Sequence, residues 1–131
     1  MEKNVVVVDD EEDLCQMVEI SLRIRNQDIR VHKAHDGEAG LALIKRVRPD
    51  LVILDVKMPK ANGYEVLSRL RADADLKDTP VMMMTSLTEG SAKADIDWGK
   101  SLGVQAFFTK PYETQAMLAE AERLLGLPAA G

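Results

Sequence analysis

The chain has 131 residues, of which 46% are apolar; this length predicts a single domain, and this composition fills one core without crosslinks. Its 17 basic and 22 acidic residues give a net charge of −5, and only 4% of the residues are aromatic; this argues against a nucleic-acid surface, which uses basic patches and stacking rings. Cys15 is the only cysteine, so an internal disulfide and a cysteine-rich zinc site are excluded. Because no apolar run is long enough for a membrane helix and no signal-peptide layout is present, we expect a soluble, cytoplasmic protein.

Five short segments predict β-strands, at residues 5–8, 29–34, 51–54, 81–84 and 106–108. Four of them are continuous apolar runs, which is the pattern of parallel strands covered by helices on both faces. The segment at 29–34 differs, because Ile29, Val31 and Ala34 are interleaved with charged or polar residues. This partial alternation favours an edge strand.

Helical patterns lie between the predicted strands. The first is an apolar stripe at i, i+3, i+4, i+7 and i+8 on a helix of about 12 residues, formed by Leu14, Met17, Val18, Ser21 and Leu22. Further helices are predicted at 38–47, 63–71, 92–102 and 114–125. Strands that alternate with helices in this way predict an α/β fold of the flavodoxin-like type: a doubly wound, five-stranded parallel sheet of order 2-1-3-4-5 with five helices. In such a sheet a ligand binds at the carboxyl ends of the strands, here between the first and third strands.

Acidic residues stand at that predicted position. Asp9 and Asp10 follow the first strand and Asp55 follows the third. Three carboxylates in one crevice repel each other unless a cation neutralises them, and Mg²⁺ prefers oxygen ligands of this kind. The next acids, at 11–13, are explained without a ligand, because they cap the following helix and complement its dipole.

Donor groups follow the last two strands. Thr85 and Ser86 come after the fourth strand and Lys110 after the fifth. The three negative charges of the carboxylates are balanced by the two positive charges of Mg²⁺ and the one of the Lys110 ammonium, so the formal charge of the site is zero. Such a site can accept a phosphoryl group, since its oxygens need positive charge and donors while a carboxylate attacks in line.

The sequence resembles the CheY-like receiver domains of two-component response regulators over about residues 3–126. The resemblance is carried by Val7-Val8-Asp9-Asp10-Glu11, Leu54-Asp55-Val56-Lys57-Met58-Pro59 with Gly63, Met84-Thr85-Ser86, and Phe107-Phe108-Thr109-Lys110-Pro111.

The resemblance implies a role for each matching residue. Asp55 is the expected phosphoryl acceptor, and Mg²⁺ is expected on Asp9, Asp10, Asp55 and the backbone carbonyl of Lys57. Thr85 and Lys110 are expected to contact the phosphoryl oxygens, with Lys110-Pro111 a cis peptide. Phe107 is the aromatic that turns inward in the switch, although a buried strand phenylalanine is equally well explained as a core residue.

The resemblance also implies partners. The phosphodonor would be a sensor histidine kinase or a phosphotransfer protein. Phosphorylation would remodel the face formed by the fourth helix (92–102), the fifth strand and the fifth helix (114–125), which engages a downstream protein or a second copy of the chain. No direct contact with nucleic acid or membrane is expected, and the chain is expected to assist its own phosphorylation and dephosphorylation without being an enzyme.

Several alternatives stay open or are excluded. We expect a receiver domain at 1–126 and a short tail or linker at 127–131. The chain is then either a regulator acting by itself or the receiver of a larger protein with a DNA-binding or enzymatic output domain. A receiver-like module that acts without phosphorylation is the third interpretation. A haloacid-dehalogenase phosphatase is excluded, because it needs a second aspartate where Lys57 stands. A flavodoxin is excluded, because the acids after the first strand would repel the flavin phosphate. A nucleotide-binding P-loop protein is excluded, because its glycine-rich motif is not present. His32 and His35 are interpreted as surface residues away from the crevice.

Overall fold

The computed structural model describes residues 2–56, 63–86, 103–110 and 114–127. Five strands lie within these residues: β1 (Lys3–Val8), β2 (Ile29–Ala34), β3 (Leu51–Asp55), β4 (Val81–Ser86) and β5 (Ala106–Lys110). Four helices lie there too: α1 (Glu12–Arg25), α2 (Gly37–Val47), α3 (Gly63–Ala72) and α4 (Thr114–Leu124). The helix predicted at 92–102 falls outside the described residues, and α4 corresponds to the fifth predicted helix.

The five strands form one parallel sheet of order β2-β1-β3-β4-β5. This confirms the predicted topology and places β2 at an edge. Three strands extend beyond their apolar runs into the polar residues that follow. Asp55 pairs with Met84, and Ser86 pairs with Lys110, so the ladder continues through residues that the apolar pattern alone leaves out.

Two apolar clusters fill the space on the two faces of the sheet. Successive β1 side chains point to opposite faces, so Val5 and Val7 join the cluster under α1 and α4, while Val6 and Val8 join the one under α2 and α3. All four of these valines are fully buried. The continuous apolar runs are therefore explained by helices on both sides of the sheet.

Arg71, in the last turn of α3, ties that helix to the entries of the next two strands. Its guanidinium donates to the carbonyl oxygens of Thr79 at 2.9 Å and Gly103 at 3.0 Å, just before β4 and β5 respectively. Partial burial lowers the pKa of Arg71, which nevertheless stays charged. The contacts hold α3 and the two strands in one arrangement at the amino end of β4 and β5.

None of the four described helices has the length and apolar content that a membrane crossing requires.

Candidate functional site at the carboxyl edge of the sheet

Three carboxylates converge where β1 and β3 end. One oxygen from each of Asp9, Asp10 and Asp55 lies within 4.8 Å of the other two. Because Val8 pairs with Leu54, the residues that follow them, Asp9 and Asp55, stand side by side. Asp9 is 0% exposed and Asp55 is 4% exposed, whereas Asp10 is exposed. The structure thus brings together the three predicted acids, although Asp9 and Asp55 are 46 residues apart in the sequence.

Asp9 is held by hydrogen bonds from both backbone and side chain. Its amide donates to the Ala34 carbonyl at 3.0 Å, which extends the pairing of β1 with β2 by one residue. Its Oδ1 accepts the Glu11 amide at 2.9 Å. Its carbonyl oxygen lies 3.4 Å from Cys15 Sγ and 3.1 Å from His35 Nδ1. Both the main chain and the carboxylate of Asp9 are therefore oriented by their surroundings.

The acids at 11–13 do only part of what the sequence predicted. Glu11 is the N-cap of α1 by its backbone, but its side chain makes no capping hydrogen bond. The side chain of Asp9 satisfies the Glu11 amide instead, so the prediction of a side-chain cap is wrong for Glu11. Glu12 and Asp13 do lie in the first turn of α1, where their charge complements the helix dipole.

Asp55 is packed against the start of α3. The Gly63 amide donates to the Val56 carbonyl at 2.9 Å. A Cβ on Gly63 would lie 2.4 Å from the Asp55 carbonyl oxygen and 2.9 Å from Val56 Cα. Only glycine allows this approach of helix to strand, so Gly63 is the residue that permits α3 to begin directly beside the acid cluster.

The predicted donor residues have the expected backbone positions. Thr85 pairs with Thr109, and Ser86 pairs with Lys110, at the last positions of β4 and β5. Both strands run parallel to β3, so Thr85 and Lys110 share the edge on which Asp55 lies. The Lys57 carbonyl and the Lys110-Pro111 peptide lie outside the described residues.

Phe107, the second residue of β5, is half-buried. It packs against the apolar cluster on the α2 and α3 face, together with Tyr64 and Val104, while its neighbour Phe108 packs on the opposite face. Phe107 is therefore partly packed into this cluster and partly exposed.

His35 is exposed, as a surface residue was predicted to be, but the expectation that it lies away from the crevice is wrong, because its Nδ1 is 3.1 Å from the carbonyl oxygen of Asp9. It follows β2 by one residue, and β2 lies next to β1, so its imidazole reaches the carbonyl oxygen of Asp9. His32, three residues earlier, lies within β2, and its Nε2 is 3.1 Å from the side-chain oxygen of Asn4 near the start of β1. No local pattern distinguishes the two histidines, because the contact of each depends on the pairing of β1 with β2.

The donor set fits a small hard cation. Carboxylate oxygens are the ligands that Mg²⁺ prefers, at about 2.1 Å each, so opposite ligands are about 4.2 Å apart. The oxygens of the three aspartates, all within 4.8 Å of one another, need little rearrangement to share one such ion. A cation there would also relieve the repulsion between two buried carboxylates and a third beside them.

Comparison with known proteins identifies the family. The model of the response regulator receiver domain matches residues 5–122. The DNA-binding dual master transcriptional regulator RpaA of Synechocystis is 35% identical over 121 residues, which is 92% of this chain and 48% of that protein. Protein PilH of Pseudomonas aeruginosa is 30% identical over 114 residues, covering 87% of this chain and 90% of that protein. The chain thus spans about half the length of RpaA and most of the length of PilH.

Solved structures agree with this assignment. The chemotaxis protein CheY4 of Vibrio cholerae superimposes with a TM-score of 0.82 at 30% identity, covering 95% of this chain and 99% of that one. The BeF3-activated receiver domain of DrrB superimposes with a TM-score of 0.80 at 27% identity, covering 96% and 99% of the two chains. The chain belongs to the response regulator receiver domains of two-component signalling.

Proposed function

We propose that this receiver accepts a phosphoryl group on Asp55 in a Mg²⁺-dependent reaction and that the modification switches a protein-interaction face. The observation that carries the proposal is the convergence of Asp9, Asp10 and Asp55 at one edge of the sheet. The convergence supports a cation site, because carboxylates this close together repel one another and a shared cation relieves that repulsion.

Asp55 is the carboxylate best placed for the attack. It ends the central strand β3, and the backbone on both sides of it is held by β4 and by α3. An Asp55 carboxylate oxygen forms the new bond to phosphorus while the bond from phosphorus to the histidine nitrogen of the donor breaks, and the imidazole leaves with the electron pair. Asp55 needs no proton transfer for this step, since it reacts as the carboxylate.

Asp9, Asp10 and Asp55, with the backbone carbonyl of Lys57, are the residues that would hold the cation. When bound, Mg²⁺ supplies positive charge to the phosphoryl oxygens. Thr85 and Lys110, from neighbouring strands, offer a hydroxyl donor and an ammonium to the same oxygens. The chain's part is thus to position groups and balance charge; it acts on its own side chain and is not an enzyme in the usual sense.

In the switch that we propose, phosphorylation first moves Thr85 and then changes the protein-interaction face. Phosphorylation adds negative charge at Asp55, which draws the Thr85 hydroxyl toward the new oxygens. Phe107, in the register next to Met83 on β4, then turns inward. The surface that we expect to change includes β5 and α4, together with the helix predicted from sequence at 92–102, and we expect it to engage a downstream protein or a second copy of the chain.

The biological context follows one of two patterns. RpaA is named as DNA-binding and is about twice as long as this chain, whereas PilH is nearly matched in length. The chain therefore works either as the receiver of a larger regulator with an output domain or through protein contacts of its own. In both cases the phosphodonor is a histidine kinase or a phosphotransfer protein.

The test is phosphorylation by a small donor. Incubation of the protein with acetyl phosphate and Mg²⁺, followed by borohydride reduction, converts an aspartyl phosphate to homoserine, which mass spectrometry locates. We expect homoserine at position 55 in the parent and none in D55N or in the parent with EDTA. The control is D36N, because Asp36 caps α2 through its Oδ1 and asparagine caps equally well; it should be labelled like the parent.

Two results would contradict the proposal. Labelling of D55N at another residue would show that the acceptor is misassigned. A parent that is not labelled would favour a receiver-like module that acts without phosphorylation.

The effect on the interaction face is tested separately by sedimentation of the parent with and without beryllofluoride. A doubled mass with beryllofluoride is expected if the partner is a second copy. An unchanged mass leaves a different protein as the partner.

A further inference from the structure

The contact between His35 and the Asp9 carbonyl has no part in the function proposed above. His35 lies in the loop between β2 and α2, and its side chain reaches across to the residue that follows β1. The distance from His35 Nδ1 to the Asp9 carbonyl oxygen, 3.1 Å, is that of a hydrogen bond.

This contact determines the tautomer of the imidazole. A backbone carbonyl oxygen can only accept a hydrogen bond, so Nδ1 must carry the proton. The contact of His32 is less restrictive, because its Nε2 faces a side-chain amide of Asn4 whose oxygen and nitrogen can exchange places.

The carbonyl oxygen of Asp9 is also contacted by a second donor, which comes from α1. Cys15, fully buried in α1, lies with its Sγ 3.4 Å from the oxygen. The two donors thus approach one carbonyl from the α1 side and from the β2–α2 loop. This carbonyl belongs to the planar peptide group between Asp9 and Asp10. Hydrogen bonds that hold the oxygen in place therefore restrict the orientation of that peptide group, and with it the directions of the Asp9 and Asp10 side chains.

We propose that His35 is a positioning residue for the cation site: by donating from Nδ1 to the Asp9 carbonyl it holds the Asp9-Asp10 peptide so that both carboxylates face Asp55. This inference rests on the proposed function, since it assumes that the three aspartates bind Mg²⁺. Hydrogen bonds that orient metal ligands without touching the metal contribute substantially to affinity in other proteins.

The first experiment measures Mg²⁺ affinity by titration calorimetry on the full chain. We expect H35A to weaken binding about three- to tenfold, which is the effect of one hydrogen bond. H35F keeps an aromatic ring without the donor and should weaken binding equally. H35N should bind within about twofold of the parent, because the Asn amide nitrogen branches from Cγ as Nδ1 does.

The matched control is H32A, which removes the other histidine from the same stretch of chain. Its contact is with Asn4 near the start of β1, far along the strand from Asp9, so its Mg²⁺ affinity should equal that of the parent. Urea unfolding in EDTA checks that every variant is folded.

The second experiment needs no metal. At about pH 8, where histidine is ordinarily neutral, long-range proton–nitrogen NMR spectra should show the proton of His35 on Nδ1. In H35A and H35F the amide of Asp10 should shift, since it shares a peptide group with the carbonyl that loses its donor, and in H35N it should shift less.

The outcomes separate the two proposals. A proton found on Nε2 of His35, or H35A and H35F with parental Mg²⁺ affinity, overturns the role of His35 and leaves the cation site intact. Weakening by H35F and H35N alike would mean that the donor is not what matters, which also overturns it. A parent that does not bind Mg²⁺ overturns the cation site and with it any role for His35 there.

Discussion

Among the residues that the structure describes, two regions bury carboxylates, and they differ in how many acidic side chains they bring together. On the face covered by α1 and α4, Glu122 is 1% exposed, and its Oε1 accepts two N–H groups of Arg25, at 2.9 Å and 2.6 Å. At the carboxyl edge of the sheet, Asp9 and Asp55 are as deeply buried, and a third carboxylate from Asp10 lies within 4.8 Å of both.

The difference separates an acid that joins two helices from a group of acids that could share a ligand. Glu122 has its cation supplied by the same chain at a fixed distance, so its charge contributes to holding α4 against α1. The acid cluster brings three carboxylates within 4.8 Å of one another, and we expect a cation bound there to stabilise the fold. A carboxylate that pairs with a guanidinium of another helix holds the two helices together, whereas carboxylates this close to one another are expected to gain from sharing a cation.

The largest effect is expected from breaking the structural pair. E122A should lower the free energy of unfolding by about 3 kcal/mol, because the Arg25 guanidinium, whose side chain is only 16% exposed, loses its charged partner. Urea unfolding measures this. The control is E120A, since Glu120 pairs with Arg123 at the surface of the same helix and should cost less than about 1 kcal/mol. Equal losses in the two variants would contradict the structural role of Glu122.

A smaller loss is expected where α3 approaches the acid cluster. G63A should cost about 2 kcal/mol, because its Cβ would meet the Asp55 and Val56 backbone, which cannot yield as a flexible side chain would. It should also weaken Mg²⁺ binding by displacing Asp55. G126A serves as the control: it strains a residue with φ of 72° but meets nothing within 4 Å, so it should cost about 1 kcal/mol with Mg²⁺ affinity unchanged. Parental affinity in G63A would argue against the coupling of α3 to Asp55.

Mg²⁺ itself should stabilise the fold through the acid cluster and leave the structural pair unaffected. At ten times its dissociation constant, a ligand that binds only the folded state adds about 1.4 kcal/mol to the free energy of unfolding. We expect this increment in the parent and in E122A, and its loss in D55N. Thermal and urea unfolding with Mg²⁺ or EDTA measure it. The same increment in D55N would place the cation elsewhere.

The smallest effect has the opposite sign. In EDTA, D10N should raise the free energy of unfolding by about 0.5 kcal/mol, because it removes one of three mutually repelling charges at an exposed position. E12Q changes the net charge equally but lies in the first turn of α1 outside the cluster, where a negative charge is favourable. It should not stabilise the protein, and if it stabilises as much as D10N, the cause is net charge and not crowding.

Much of the fold could be predicted because its main signals are local. Continuous apolar runs such as 51–54 identify strands buried on both faces, and the alternation with helical patterns leads to the observed strand order. The acids of the site were found by the same reasoning, because parallel strands carry the residues at their carboxyl ends to one edge. Phe107 could be located in β5 but not assigned a depth, because its half-burial depends on the loops and helices around it.

Local patterns along the chain were enough to predict the strand order and the meeting of Asp9, Asp10 and Asp55 at one edge, since both follow from the order of residues along a strand and the period of the side chains. Which distant groups meet could be seen only in the folded protein. Arg25 finds Glu122 across 97 residues, His35 reaches the Asp9 carbonyl because β2 lies beside β1, and Gly63 is required because a helix passes within contact of the strand that ends at Asp55. Such contacts depend on how the layers pack, and packing joins residues whose spacing along the chain carries no signal of their proximity.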